Sequence, residues 1–176
     1  VGHSFALRPT WTGRPVIALV GHTDTVPPHP NEAAPKVNKG RVTGLGSSDM
    51  KGGLAVMMAL MEDLNPTILP YDLVFVFYDA EEGPFANSGL GPLLEGVDWL
   101  SKIDLAFCLE PSDNVVQVGC VGTLHAKVVF EGRSAHSARP WQGENAIHKA
   151  GDFLTTLAAR EPVDVDVFGY RFREVI

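Results

Sequence analysis

The sequence predicts an α/β fold: a mostly parallel sheet flanked by helices, followed by the start of a smaller α+β domain. Three observations carry this. Three short runs, Val16–Gly21 (VIALVG), Leu73–Tyr78 (LVFVFY) and Leu105–Leu109 (LAFCL), are apolar on both faces, as strands covered by helices on either side must be. Helix-forming segments separate them, giving a β–α–β–α–β order. After Glu110-Pro111 the pattern changes to alternation and then to one amphipathic stretch.

The first strand runs into Gly21-His22-Thr23-Asp24. Met50–Leu64 (MKGGLAVMMALMEDL) is rich in Ala, Leu and Met, so a helix is expected there, with Asp49 near its N-cap and Asn65-Pro66 ending it. A shorter helix is expected within Ser88–Leu94. Val115–Val118 and Thr123–Phe130 read as strands; in the second, Leu124, Ala126, Val128 and Phe130 alternate with His125, Lys127 and Val129. Gly143–Arg160 reads as a helix with Ala146, Ile147, Ala150, Phe153, Leu154 and Leu157 on one side. The boundary is expected within Gly119–Gly122, dividing the chain into residues 1–120 and 121–176. Val167–Ile176 is polar and aromatic with no domain-ending signal, so the second domain is expected to be incomplete.

Composition narrows the function. Of 176 residues, 45% are hydrophobic and 20% charged, which excludes disorder as a description of the whole chain. The apolar runs are too short for a membrane span. The start, Val1-Gly2-His3-Ser4, has neither the basic nor the apolar region of a signal peptide, nor an initiator Met, and reads as an internal start. The net charge is −7 with no Lys/Arg cluster, so nucleic acid is not an expected partner. Cys108 and Cys120 form no C-x-x-C pair and read as buried thiols of a reducing compartment.

The chemistry gathers at strand ends. His22 and Asp24 follow the first strand, Asp79-Ala80-Glu81-Glu82 the second and Glu110 the third; Ser48-Asp49-Met50-Lys51-Gly52-Gly53 precedes the long helix. In a parallel sheet, ligands bind beyond the carboxyl ends of the strands. Singly, His22 reads as a loop residue, Asp49 as a helix cap, Glu81-Glu82 as solvated surface and Glu110 as a strand end. Together they place one imidazole and several carboxylates at one end of one sheet, a self-repelling group that a cation would neutralise. Nitrogen and oxygen donors without cysteine suit Zn²⁺, with Mn²⁺ or Co²⁺ as substitutes.

Gly21-His22-Thr23-Asp24-Thr25-Val26-Pro27, then Gly44-Leu45-Gly46-Ser47-Ser48-Asp49-Met50-Lys51-Gly52-Gly53, Glu81-Glu82-Gly83 and Glu110-Pro111 resemble the dinuclear zinc aminoacylase/carboxypeptidase family. Gly122-Thr123-Leu124, Ala135–Trp141, Gly143–Lys149 and Tyr170–Glu174 resemble its succinyl-diaminopimelate desuccinylase branch of actinobacterial type. The resemblance implies a zinc-peptidase-like catalytic domain over residues 1–120 and part of a dimerisation or lid domain over 121–176. It implies two zinc ions, with His22 and Glu110 on one, Glu82 on the other and Asp49 bridging both. Asp24 would hydrogen-bond the His22 imidazole, Glu81 would be the general base, and His136 would stabilise the oxyanion across a homodimer interface. Arg139 and Asn145 would hold substrate carboxylates. A cis bond would follow Asp49. The family's further His ligand, near its C-terminus, has no match in these residues.

The activity so implied is hydrolysis of N-succinyl-LL-2,6-diaminopimelate to succinate and LL-2,6-diaminopimelate, in the cytoplasm, for lysine and cell-wall precursor synthesis. Acetylornithine deacetylase, another N-acyl-amino-acid amidohydrolase or carboxypeptidase, or a truncated non-catalytic metal-binding or dimerisation module are the alternatives.

Overall fold

The computed structural model describes residues 2–174, and the chain falls into two compact units, Val1–Val115 and Val116–Ile176.

The first unit is built on a mixed four-stranded sheet. Its strands are β1 (Phe5–Leu7), β2 (Val16–His22), β5 (Asp72–Tyr78) and β6 (Leu105–Cys108), in the order β1-β5-β2-β6. Between β2 and β5 in sequence come a separate hairpin, β3 (Lys36–Asn38) with β4 (Arg41–Thr43), and helix α1 (Gly52–Asp63). Between β5 and β6 comes α2 (Leu90–Gly96). β2 pairs in parallel with both β5 and β6, while β1 runs antiparallel along β5.

Two apolar layers explain why the central runs are continuous. Val16, Ala18 and Val20 of β2 share one face with Val74, Val76 and Tyr78 of β5, and pack with Leu93 of α2 and with Leu100. The intervening Leu73, Phe75 and Phe77 point the other way and pack with Met57 of α1. A period of two therefore serves both faces, and neither can carry polar residues.

The third apolar run differs from the expectation of a buried strand. β6 pairs only with β2, and Leu105 and Phe107 stay 49% and 44% exposed. It stands at the edge of the sheet, half-covered, with a strand neighbour on one side only among the described residues.

The long helix also starts later than expected. Asp49 does not cap α1; Ser47–Lys51 makes one wide turn with non-helical backbone at Asp49 and Met50, and Lys51 stands at the cap position without a side-chain cap bond. The Asp49–Met50 bond is cis, as the resemblance implied.

In the second unit, α3 (Ala146–Ala158) falls within the expected helix, and β7 (Asp164–Val167) and β8 (Tyr170–Arg173) form a hairpin. Part of the expected Val167–Ile176 stretch is thus β8, and its last two residues lie outside the described ones. The expected strands at Val115–Val118 and Thr123–Phe130 do not form. Alternation alone makes no strand; a partner must satisfy its N–H and C=O groups. None of the described residues supplies one, and Val116 and Leu124 remain 83% and 90% exposed. Cys108 and Cys120 are exposed, not buried as expected.

Candidate metal centre

The centre begins at the end of β2. β2 is an inner strand, so its last residue, His22, is completely buried. The ladder continues one residue further, with Thr23 N–H donating to the Tyr78 carbonyl at 2.7 Å. The strand cannot rotate there, and the imidazole direction is fixed by the sheet. The backbone N–H of His22 donates to Met50 Sδ at 3.1 Å, joining β2 to the turn that bears Asp49. Lys51 Nζ donates to the Thr23 carbonyl across the same gap.

Across that gap His22 Nε2 lies 2.9 Å from Asp49 Oδ1 and 3.8 Å from Glu110 Oε1. Glu110 follows β6, where Leu109 N–H still donates to the Val20 carbonyl at 3.0 Å. A Cβ at Gly53 would collide with the Leu109 carbonyl oxygen, so only glycine lets the start of α1 approach this strand end.

Donor atoms of His22, Asp49 and Glu110 lie within 4.8 Å of one another, and so do those of His22, Glu81 and Glu82. Asp24 sits behind the imidazole. Its Oδ1 is 3.4 Å from His22 Nδ1, too poorly aligned for a hydrogen bond, and the buried Nδ1 has no other partner among the described residues. Instead the Asp24 carboxylate accepts the backbone N–H groups of Glu81 at 3.0 Å and Glu82 at 3.1 Å. Those two bonds tie the turn after β5 to the end of β2.

The electrostatics report a group short of positive charge. Burial pushes the Glu110 carboxyl up, and neighbouring Asp49 adds to this against the pull of His22, to about 7. Burial also raises Glu82, helped by Asp49 and Glu81. Burial alone would lower His22, but the Asp49 hydrogen bond and the Glu110 and Glu81 charges outweigh it and hold it above its usual range. Asp24 goes the other way: burial opposes ionisation, and the Glu81 and Glu82 N–H groups overcome it and lower its pKa. One imidazole nitrogen and several carboxylate oxygens, crowded and partly desolvated, fit a divalent cation.

The remaining expected residues belong to the second unit. His136 is exposed, and its Nδ1 accepts the Ala138 N–H at 3.1 Å. Arg139 is exposed, with its N–H bonded to the His136 carbonyl at 2.7 Å. Asn145 caps α3, its Oδ1 accepting the Ile147 N–H at 2.8 Å.

Two neighbours were missed in sequence. Met50 meets His22 through sulfur, for which no spacing rule exists. Tyr78 pairs with His22 in the β2–β5 register and its ring lies 6.2 Å away. Burial and the Glu81 and Glu110 charges raise its pKa. Its position as the last strand residue before the acidic turn was the available signal.

Comparison with known proteins places the chain in a family. Residues 18–172 match the pattern of peptidase family M20/M25/M40. The chain is 42% identical over 160 residues to a Mycobacterium tuberculosis protein with the provisional name succinyl-diaminopimelate desuccinylase DapE, covering 90% of this chain and 44% of that protein. It is 39% identical to the succinyl-diaminopimelate desuccinylase of Corynebacterium glutamicum, covering 90% and 43%. It is 34% identical to that of Xylella fastidiosa, covering 88% and 44%. The chain thus spans less than half the length of the curated relatives it matches.

Proposed function

The chain belongs to peptidase family M20/M25/M40, and from that premise we propose that it serves a metal-dependent amide hydrolase acting on N-succinyl-LL-2,6-diaminopimelate. The observation that carries the reading is the convergence within 4.8 Å of donor atoms of His22 and Glu110, at the carboxyl ends of parallel strands, with those of Asp49, in the turn before α1. Family membership implies use of a divalent metal, and the donor chemistry favours zinc. The desuccinylase names of the relatives support the substrate.

In this reading His22 and Glu110 would hold one ion and Glu82 a second, with Asp49 as a ligand to both. Bound there, the ions would lower the pKa of a water towards about 7 and polarise the amide carbonyl. Glu81 accepts the proton of the attacking water and delivers a proton to the departing amine, so that succinate and diaminopimelate leave. Asp24 keeps the Glu81–Glu82 turn in place beside the end of β2. His136 donates to the developing oxyanion from the smaller region of a partner copy. Arg139 and Asn145 take substrate carboxylates, Arg139 through its planar fork.

Residues 1–120 are the catalytic portion and 121–176 part of a dimerisation or lid domain of a cytoplasmic homodimer. Among the described residues no helix is long and apolar enough to cross a membrane.

The deciding experiment is amine release by the complete gene product supplied with zinc. N-succinyl-LL-diaminopimelate and N-acetylornithine are compared, each with a chelated control. Chelator-sensitive turnover of the succinyl substrate is expected. Preference for the acetyl substrate would reassign the enzyme to acetylornithine deacetylation. Zinc binding with no turnover of either would favour the non-catalytic module.

A further inference from the structure

We propose that Ser4, Asp79 and Gly89 form a lock that positions the turn bearing Glu81 and Glu82. The proposal rests on the reading of those two carboxylates as working groups of the metal centre. Asp79 is the first residue after β5 and stands two positions before Glu81. Ser4 precedes β1, and the antiparallel pairing of Phe5 with Phe77 brings it to the end of β5.

Three of the Asp79 polar groups, Oδ1, the N–H and the carbonyl, are engaged there. The buried Ser4 hydroxyl donates to Asp79 Oδ1 and accepts the Asp79 N–H at 3.1 Å. The Asp79 carbonyl accepts the Gly89 N–H at 2.8 Å. A Cβ at position 89 would collide with both Asp79 Oδ1 and Ser4 Oγ, so three residues distant in sequence fit together only with glycine there.

The next residue shows what is being held. Ala80 has φ +57°, a left-handed conformation that a residue with a Cβ keeps only when its surroundings impose it. That conformation turns the chain out of the sheet and sets the direction in which Glu81 and Glu82 leave. Beyond them Asp24 takes both of their N–H groups. The turn is therefore gripped at each end, by Asp24 at the metal side and by Ser4 with Gly89 at the sheet side. Among the described residues Asp79 belongs to no cluster of metal donors. Ser4 and Asp79 are positioning residues, acting through the backbone of the turn.

The test uses the complete gene product and two readouts, amide hydrogen exchange and titration with zinc alone. For Ser4→Ala, exchange at the Glu81 and Glu82 amides is expected to rise at least about tenfold, the effect of one net hydrogen bond where the hydroxyl makes two, while the β2 amides keep the parent rates. The zinc binding step that needs Glu82 is expected to weaken by about the same factor, and the step that needs His22 and Glu110 to hold its parent value. Asp79→Asn retains the acceptor oxygen and should behave as the parent; Asp79→Ala should behave as Ser4→Ala, and serves if that variant does not fold. Unchanged exchange, or an equal loss at both zinc steps, would overturn the lock. Localised exchange changes in Ser4→Ala, with no zinc bound by the parent protein, would overturn the metal-centre reading instead.

Discussion

His22 Nε2 and Asp49 Oδ1 stand 2.9 Å apart, although 27 positions separate them and they leave different elements. The sheet sets one and the irregular turn before α1 sets the other. A ligand whose affinity depends on both must respond to either change. His22→Ala is expected to abolish the zinc-induced rise in thermal stability. In the parent, free zinc at about 100 times its Kd contributes about 2.7 kcal/mol. Calorimetric scans with zinc and with a chelator check this, and a full zinc response in His22→Ala would remove the residue from the centre.

Much of this arrangement was legible before the structure. Val16–Val20 of β2 and Leu73–Phe77 of β5 show their buried character because every residue in them is apolar, and Val74 and Phe75 indeed face opposite layers. The site residues of the first unit were legible because each ends a strand or precedes a helix. Other parts follow from pairing, which one segment cannot report. β1 has three residues, and only the β5 edge makes it a strand. Thr123–Phe130 has the alternation without a partner among the described residues. The two hairpin turns use Lys39-Gly40 and Phe168-Gly169 at positive φ, where Asn-Gly or Asp-Gly would have announced them. Asp49 has the residue type of a cap, but its backbone belongs to the kinked turn.

Asp24 binds the neighbouring turn rather than the imidazole, and this gives it a distinct signature. Asp24→Ala should weaken zinc binding by about 10- to 100-fold, the range for partners that orient ligands. It should also free the Glu81 and Glu82 amides to exchange. Asp24→Asn, with one carbonyl oxygen in place of a carboxylate, should fall between. A zinc competition titration with parallel exchange measurements decides; parent-like affinity in Asp24→Ala would show that the turn holds itself.

Gly53 tests how closely α1 must approach β6. A methyl group there meets the Leu109 carbonyl, which is backbone and cannot swing away. Gly53→Ala should cost about 1–3 kcal/mol of stability, the usual range for overpacking, despite alanine's better helix propensity. It should also displace Glu110, the residue after Leu109, and lower zinc affinity. Urea unfolding of the chelated protein measures the first effect; a gain in stability would show that the helix can shift freely.

Asp72 offers a pH dependence remote from the metal centre. It is buried at the start of β5, where Oδ2 accepts the Thr12 N–H at 2.6 Å and Oδ1 accepts the Thr10 and Thr12 hydroxyls at 3.1 Å each. Burial disfavours the charged carboxylate, but these bonds, the Thr12 N–H foremost, outweigh it and lower the pKa below 3.8. A group with a depressed folded pKa stabilises the fold above its unfolded pKa. That contribution is lost as pH falls through the folded value. Asp72→Asn should therefore be less stable than the parent at pH about 7, and the gap should narrow as the pH drops below about 4. Chemical unfolding of both proteins along a pH series, with chelator present throughout, reads the difference directly. A gap that stays constant into the acid range would mean that Asp72 contributes through shape and not through its charge.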